Sequence, residues 1–275
     1  MHRLSLANLL IAALLSGCAN MTTMSVRDLS QVPEASTNGF LFPSTDGKVE
    51  AYITRPRGPG PFPLMLMLHG AQRLLPAAQF FAGELCYATF ALSLPGYGRS
   101  EFAGQPSAET TRQAVFDALA LAKQLPWIDA TRIYLYGFSR GAVIATALIN
   151  QIEAVKGVVL LAGAYDLPRL YQDTPSIWIR KLLNPNGDAA PKLQNYLPET
   201  ERWSAPTLIL HGTEDGMIPV SQANLLRDQL RSFDKPHRLV LIPDRGHWLR
   251  LDEIKQPAMS FLQANGGSAC AAGDS

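Results

Sequence analysis

Gly137-Phe138-Ser139-Arg140-Gly141 constrains this chain more than any other stretch. Arg132-Ile133-Tyr134-Leu135-Tyr136, just before it, reads as a buried strand. Ala142 to Ile149, just after it, is small and apolar at helical spacing. A chain that passes from strand to helix in so few residues must turn sharply. Side chains at the outer positions of that turn would collide with their surroundings, and glycine occupies both. The serine between them is held above a sheet edge, with the positive end of the following helix beneath it. The pentapeptide therefore implies a β-α unit and presents one hydroxyl as a candidate nucleophile.

The rest of the chain keeps the same rhythm. Phe40-Leu41-Phe42 and Val49 to Thr54 flank an Asp46-Gly47 turn in a hairpin pattern. Leu64 to Leu68 is an unbroken apolar run, as in a strand covered on both faces. Helix over 77–86 and strand over 89–94 follow, then a long amphipathic helix over 107–125 that stops before Pro126. Beyond the Ser139 turn come strands at 157–162, 207–210 and 238–242, with helices over 219–233 and 251–263. One hairpin followed by repeated β-α units predicts an α/β fold, a mostly parallel sheet with helices on both faces. Residues 167–205 break the rhythm and read as a small cap insertion whose aromatic residues could wall a pocket.

The ends read differently. Met1-His2-Arg3 is a short positive start, and Leu4 to Leu15 is apolar but too short for a lasting membrane span. Leu15-Ser16-Gly17-Cys18 resembles the bacterial lipobox, in which the cysteine is lipidated (palmitate among the attached chains) and becomes the new N-terminus. That resemblance implies a signal peptide over 1–17 and a lipid-anchored protein of the bacterial cell envelope. Ala19 in place of Asp implies the outer membrane, facing the periplasm. Residues 18–38 read as a lipidated N-terminus and flexible tether, 39–264 as the folded domain, and 265–275 as a loose tail. The 24 basic and 23 acidic residues nearly cancel, so no nucleic-acid partner is expected. Beyond Cys18 only Cys86 and Cys270 remain, which gives neither a disulfide framework nor a metal site and leaves their pairing open.

Five blocks in order carry a family resemblance: Leu66-Met67-Leu68-His69-Gly70-Ala71, Pro95-Gly96-Tyr97-Gly98-Arg99-Ser100, the Ser139 turn, His211-Gly212-Thr213-Glu214-Asp215, and Gly246-His247-Trp248. The chain resembles an α/β-hydrolase of the branch that holds the prolyl-oligopeptidase catalytic domain, dienelactone hydrolases and related esterases. In that fold the Gly-x-Ser-x-Gly turn is a nucleophile elbow, and the partners follow in the order Ser, acid, His. Ser139, Asp215 and His247 satisfy the order, with Asp166 as the alternative acid and Glu214 and Asp244 as neighbours less suited to the role. Two backbone N–H groups, of Ala71 and Arg140, are the expected oxyanion-hole donors. The family pattern has Asp where this chain has Ser93, a position of structural rather than chemical use.

The resemblance implies a serine hydrolase that needs no cofactor. Its expected substrate is a small carboxylic ester, cleaved through an acyl-enzyme on Ser139. Hydrolysis of short peptides or amides is the alternative, followed by acyl transfer and by a non-catalytic envelope lipoprotein.

Overall fold

The computed structural model describes residues 21–45, 47–69, 74–102 and 107–266. Strands β1 (Ser36–Ser44), β2 (Gly47–Arg55), β3 (Phe62–Leu68), β4 (Ala88–Leu92), β5 (Glu101–Phe102), β6 (Ile128–Phe138), β7 (Val155–Leu161), β8 (Thr207–Gly212) and β9 (His237–Ile242) form one sheet. Their order is β1-β2-β4-β3-β6-β7-β8-β9, with the short β5 paired to β2. β1 and β2 form the hairpin, β2 runs antiparallel to β4, and every later neighbour is parallel.

Alternation along the central strands builds two cores from one sheet. Leu64, Leu66 and Leu68 of β3 point to one face, and Met65 and Met67 to the other. In β6, Ile133 and Leu135 join the first face while Tyr134, Tyr136 and Phe138 join the second. Helices α3 (Ala108–Ala122), α4 (Arg140–Leu148) and α7 (Ser221–Ser232) cover the first face. Helices α2 (Leu75–Leu85) and α8 (Leu251–Ala264) cover the second. Because both faces are sealed, the strands can be apolar throughout, and β3 is buried at every position. Cys86 caps α2 in the left-handed conformation and is disulfide-bonded, its partner lying outside the described residues.

Two segments differ from expectation. Residues 21–38 are not a free tether from end to end. Leu41 N–H donates to the Thr22 carbonyl and Met24 N–H to the Leu41 carbonyl, at 2.9 and 3.0 Å. Ser25 caps a short helix, α1 (Val26–Ser30), with Asp28 closing the capping box. Leu29 on this helix and Val32 just after it are buried. Polar composition concealed this segment because backbone bonds to β1 and a few apolar side chains, Met24, Val26, Leu29 and Val32, fasten it.

The insertion at 167–205 holds α5 (Leu167–Asp173), α6 (Ile177–Leu183) and a 3-10 turn over Leu197–Arg202. Leu170 and Ile179 pack with Ile218 and with Val143 of α4, which seats α5 and α6 beside the end of β8. The aromatic residues are not pooled into one wall: Trp203 is buried in the main core, whereas Trp178 stands exposed on α6. No helix among the described residues is long and apolar enough to cross a membrane.

Candidate active site

Ser139 stands at the seam between β6 and α4, with φ 54° and ψ −117°. Non-glycine residues rarely adopt positive φ, so this backbone stores strain that the surroundings must hold. Two close approaches do so. A Cβ at Gly137 would lie 2.6 Å from Ala142 Cα, and one at Gly141 would lie 1.5 Å from the Leu68 carbonyl oxygen. Glycine at both positions lets α4 press against the ends of β6 and β3. Ser139 N–H donates to the Leu161 carbonyl at 2.9 Å, which ties the turn to β7.

Asp215 and His247 arrive on two loops laced together. Glu214 N–H donates to the Arg245 carbonyl at 2.8 Å, Thr213 N–H to the Ile242 carbonyl at 3.0 Å, and Asp244 N–H to the Thr213 hydroxyl at 2.9 Å. These bonds fix the loop after β9 against the loop after β8. His247 Nδ1 then lies 2.8 Å from Asp215 Oδ2, and His247 Nε2 lies 2.9 Å from Ser139 Oγ. A carboxylate can only accept, so Nδ1 carries the proton and Nε2 is free to accept from the serine hydroxyl. Phe138 and Trp248 rings stand 5.3 and 5.1 Å from the His247 ring and restrict its tilt.

Asp215 is itself held from several sides. Its Oδ1 accepts the N–H groups of Met217 and Ile218, both at 2.9 Å. His211, fully buried, places Nε2 2.8 Å from the Ile218 carbonyl and 3.4 Å from Asp215 Oδ2. Both neighbours accept, so that proton belongs on Nε2. Burial, the largest influence, pushes the Asp215 carboxyl upward. Hydrogen bonds from His211, His247 and the Ile218 N–H, with the charge of His247, outweigh it and hold the group well below the usual carboxylate range. In the sequence His211 is only the first residue of the block that ends in Asp215; in the fold its ring lies against the acid.

The remaining expected residues separate clearly. Asp166, the alternative acid, caps α5 by accepting from Arg169 N–H at 2.9 Å and also accepts from Asn195 at 3.3 Å. Those bonds engage each of its oxygens once, and His247 Nδ1 is bonded to Asp215 instead. Glu214 and Asp244 are exposed. Arg140 is the first residue of α4, where a helix leaves its N–H groups without intrahelical acceptors, so its N–H is available beside Ser139. Ala71, the second expected donor, and Cys18 lie outside the described residues.

Ser93 has a compensation that the sequence did not disclose. Its hydroxyl donates to Glu50 Oε1 at 2.9 Å, and Glu50, 3% exposed on β2, accepts Arg99 N–H on Oε2 at 2.6 Å. The Ser100 hydroxyl accepts Glu50 N–H and donates to the Ser93 carbonyl. The carboxylate missing at position 93 is thus supplied from the neighbouring strand, and it stiffens the loop over 95–100.

Comparison with known proteins identifies the family and the fold. Residues 99–264 match the prolyl oligopeptidase family, and residues 23–174 match the FrsA-like esterases. The uncharacterized peptidase YtmA of Bacillus subtilis is 25% identical, over 69% of this chain and 77% of its own length. The acylamino-acid-releasing enzyme of Rattus norvegicus is 26% identical over 78% of this chain, which spans only 32% of that longer protein. An acylaminoacyl peptidase of Pyrococcus horikoshii superimposes with a TM-score of 0.69 at 17% identity, over 86% of this chain and 42% of its own. With the Gly-x-Ser-x-Gly turn at the end of the central strand and helices on both faces of the sheet, the chain belongs to the prolyl oligopeptidase and FrsA-like esterase families of α/β-hydrolase serine hydrolases.

Proposed function

We propose that the protein hydrolyses small carboxylic esters through an acyl-enzyme on Ser139, with His247 as base and Asp215 as its orienting acid. The observation that carries the reading is the continuous hydrogen-bonded chain from Ser139 Oγ through His247 to Asp215. In the first half-reaction Oγ attacks the carbonyl carbon while its proton passes to Nε2. The negative oxygen that develops is met by the Arg140 N–H and, from the loop after β3, by the Ala71 N–H. Collapse breaks the bond to the leaving group, which takes the proton from Nε2. Water then attacks the acyl-enzyme by the same route in reverse, returning the serine. No metal or cofactor enters these steps.

Amide hydrolysis is the second reading, favoured by the match of residues 99–264 to a peptidase family. The machinery is the same, but a leaving amine must be protonated before it departs, so it depends more on His247. The two are separated by assaying 4-nitrophenyl butyrate beside acyl-amino-acid 4-nitroanilides. We expect kcat/KM for the ester to exceed that for the anilides by at least about 100-fold, more than 2.7 kcal/mol of transition-state preference. Turnover of the anilides alone would reverse the assignment.

We also propose that Cys18 is lipidated and that the domain is held at the outer membrane, facing the periplasm. The Leu15-Ser16-Gly17-Cys18 pattern supports this, and more than one acyl chain suffices for stable attachment. Thr22 is already bonded to β1. The leash from Cys18 to Thr22 is then at most about 14 Å, so the β1–β2 side of the domain would ride close to the bilayer. Cys18→Ser is expected to abolish metabolic palmitate labelling and shift the protein from membrane to soluble fractions. Palmitate retained on that variant would exclude Cys18 as the acceptor.

A further inference from the structure

Arg140 does more than lend a backbone N–H. Its side chain is half-buried, directly after Ser139, and its guanidinium lies 5.3 Å from the centre of the Tyr97 ring. That partner is neutral. Among the described residues no carboxylate comes within ion-pair distance of it, whereas Arg132, Arg169, Arg227 and Arg250 each have one. Tyr97 has an exposed ring, but the loop that carries it is anchored by buried Glu50 through Ser93, Arg99 and Ser100. A guanidinium resting on an aromatic face keeps its N–H edge open, and that edge matches a carboxylate with two parallel hydrogen bonds.

The sheet order says which part of a substrate would meet it. His247 and Asp215 follow β9 and β8, on one side of β6, while Tyr97 follows β4, on the other side. His247 must hand its proton to the leaving group, so the leaving group lies toward β8 and β9. The acyl portion extends the opposite way, toward Arg140 and Tyr97. We propose that the Arg140 side chain, oriented by Tyr97, binds a carboxylate on the acyl portion of the substrate. The favoured substrates are then half-esters or half-amides of dicarboxylic acids. This rests on the serine-hydrolase reading above and adds the acyl class to it.

The test compares 4-nitrophenyl hydrogen adipate with 4-nitrophenyl methyl adipate, which share leaving group and chain and differ in one negative charge. We expect the native protein to have the higher kcat/KM on the anionic ester, after subtraction of spontaneous hydrolysis. In Arg140→Met the anionic-to-neutral ratio should fall at least 10-fold, chiefly through KM. Arg140→Lys, which keeps the charge but loses the planar fork, should retain part of the preference, and Tyr97→Leu should lower it by a smaller factor. Fluorophosphonate labelling of Ser139 in each variant reports that the machinery is assembled. A ratio unchanged in Arg140→Met, with labelling intact, overturns the proposal. Absence of labelling and of turnover of both esters in the native protein would instead sink the hydrolase reading, and the proposal with it.

Discussion

Ser139→Ala is expected to lower kcat on an activated ester by about 10⁵-fold or more, close to 7 kcal/mol of lost barrier reduction. Removing Oγ deletes the covalent route, so His247 and Asp215 have no hydroxyl to activate. What remains is binding and the oxyanion donors, which act on water directly and leave a residual rate above the uncatalysed one. The fold should be indifferent, since Ser139 is bonded to β7 through its backbone N–H, not its side chain. His247→Ala should cost about as much, and the double variant no more than either, because the residues act as one unit. The checks are steady-state kinetics, fluorophosphonate labelling and a thermal melt. Undiminished labelling of Ser139→Ala would place the nucleophile elsewhere; two losses that add in the double variant would mean that these side chains do not act together.

Much of this arrangement is legible in the sequence, for a local reason. Apolar alternation and glycine placement are short-range signals, and β3, β6 and the Gly137–Gly141 turn announce themselves through residues next to one another. The order Ser139, Asp215, His247 is likewise a property of the chain. What stayed hidden depends on pairing across the sheet. Glu50 meets Ser93 because β2 lies beside β4, a neighbour relation that no window of sequence contains. The fastening of residues 22–32 is hidden for the same reason, since it depends on Leu41 and on the burial of Leu29 and Val32. His211 against Asp215 is intermediate: the spacing is visible, but the turn that folds Ile218 back over both is not. In the insertion, composition marks aromatic residues without saying that Trp203 turns inward and Trp178 outward.

Gly141→Ala should be the most damaging single-methyl addition near the site. The added Cβ would fall 1.5 Å from the Leu68 oxygen, 2.4 Å from its carbonyl carbon and 3.2 Å from His69 N. All three obstacles are backbone, so no side chain can rotate out of the way. Leu68 cannot retreat either, because β3 is held between β4 and β6 along its length. Relief must come from α4 moving outward by about 1.5–2 Å, which would unseat Ala142 and Ala145 from the core and drag Ser139 with them. We expect a loss of about 4 kcal/mol or more of stability, a fall in Tm of about 8–16 °C, and loss of ester turnover even in the fraction that folds. Gly83→Ala supplies the contrast. It lies in α2, and a Cβ there meets nothing within 4 Å, so the same substitution should be neutral or stabilise by about 0.5–1 kcal/mol through reduced freedom of the unfolded chain. Calorimetry on both variants, with activity measured below the lower Tm, separates the two effects. A Gly141→Ala protein that melts with the native one and turns over ester at the native rate would mean that α4 does not press on β3 as described, and that the strained Ser139 backbone is not what that contact maintains.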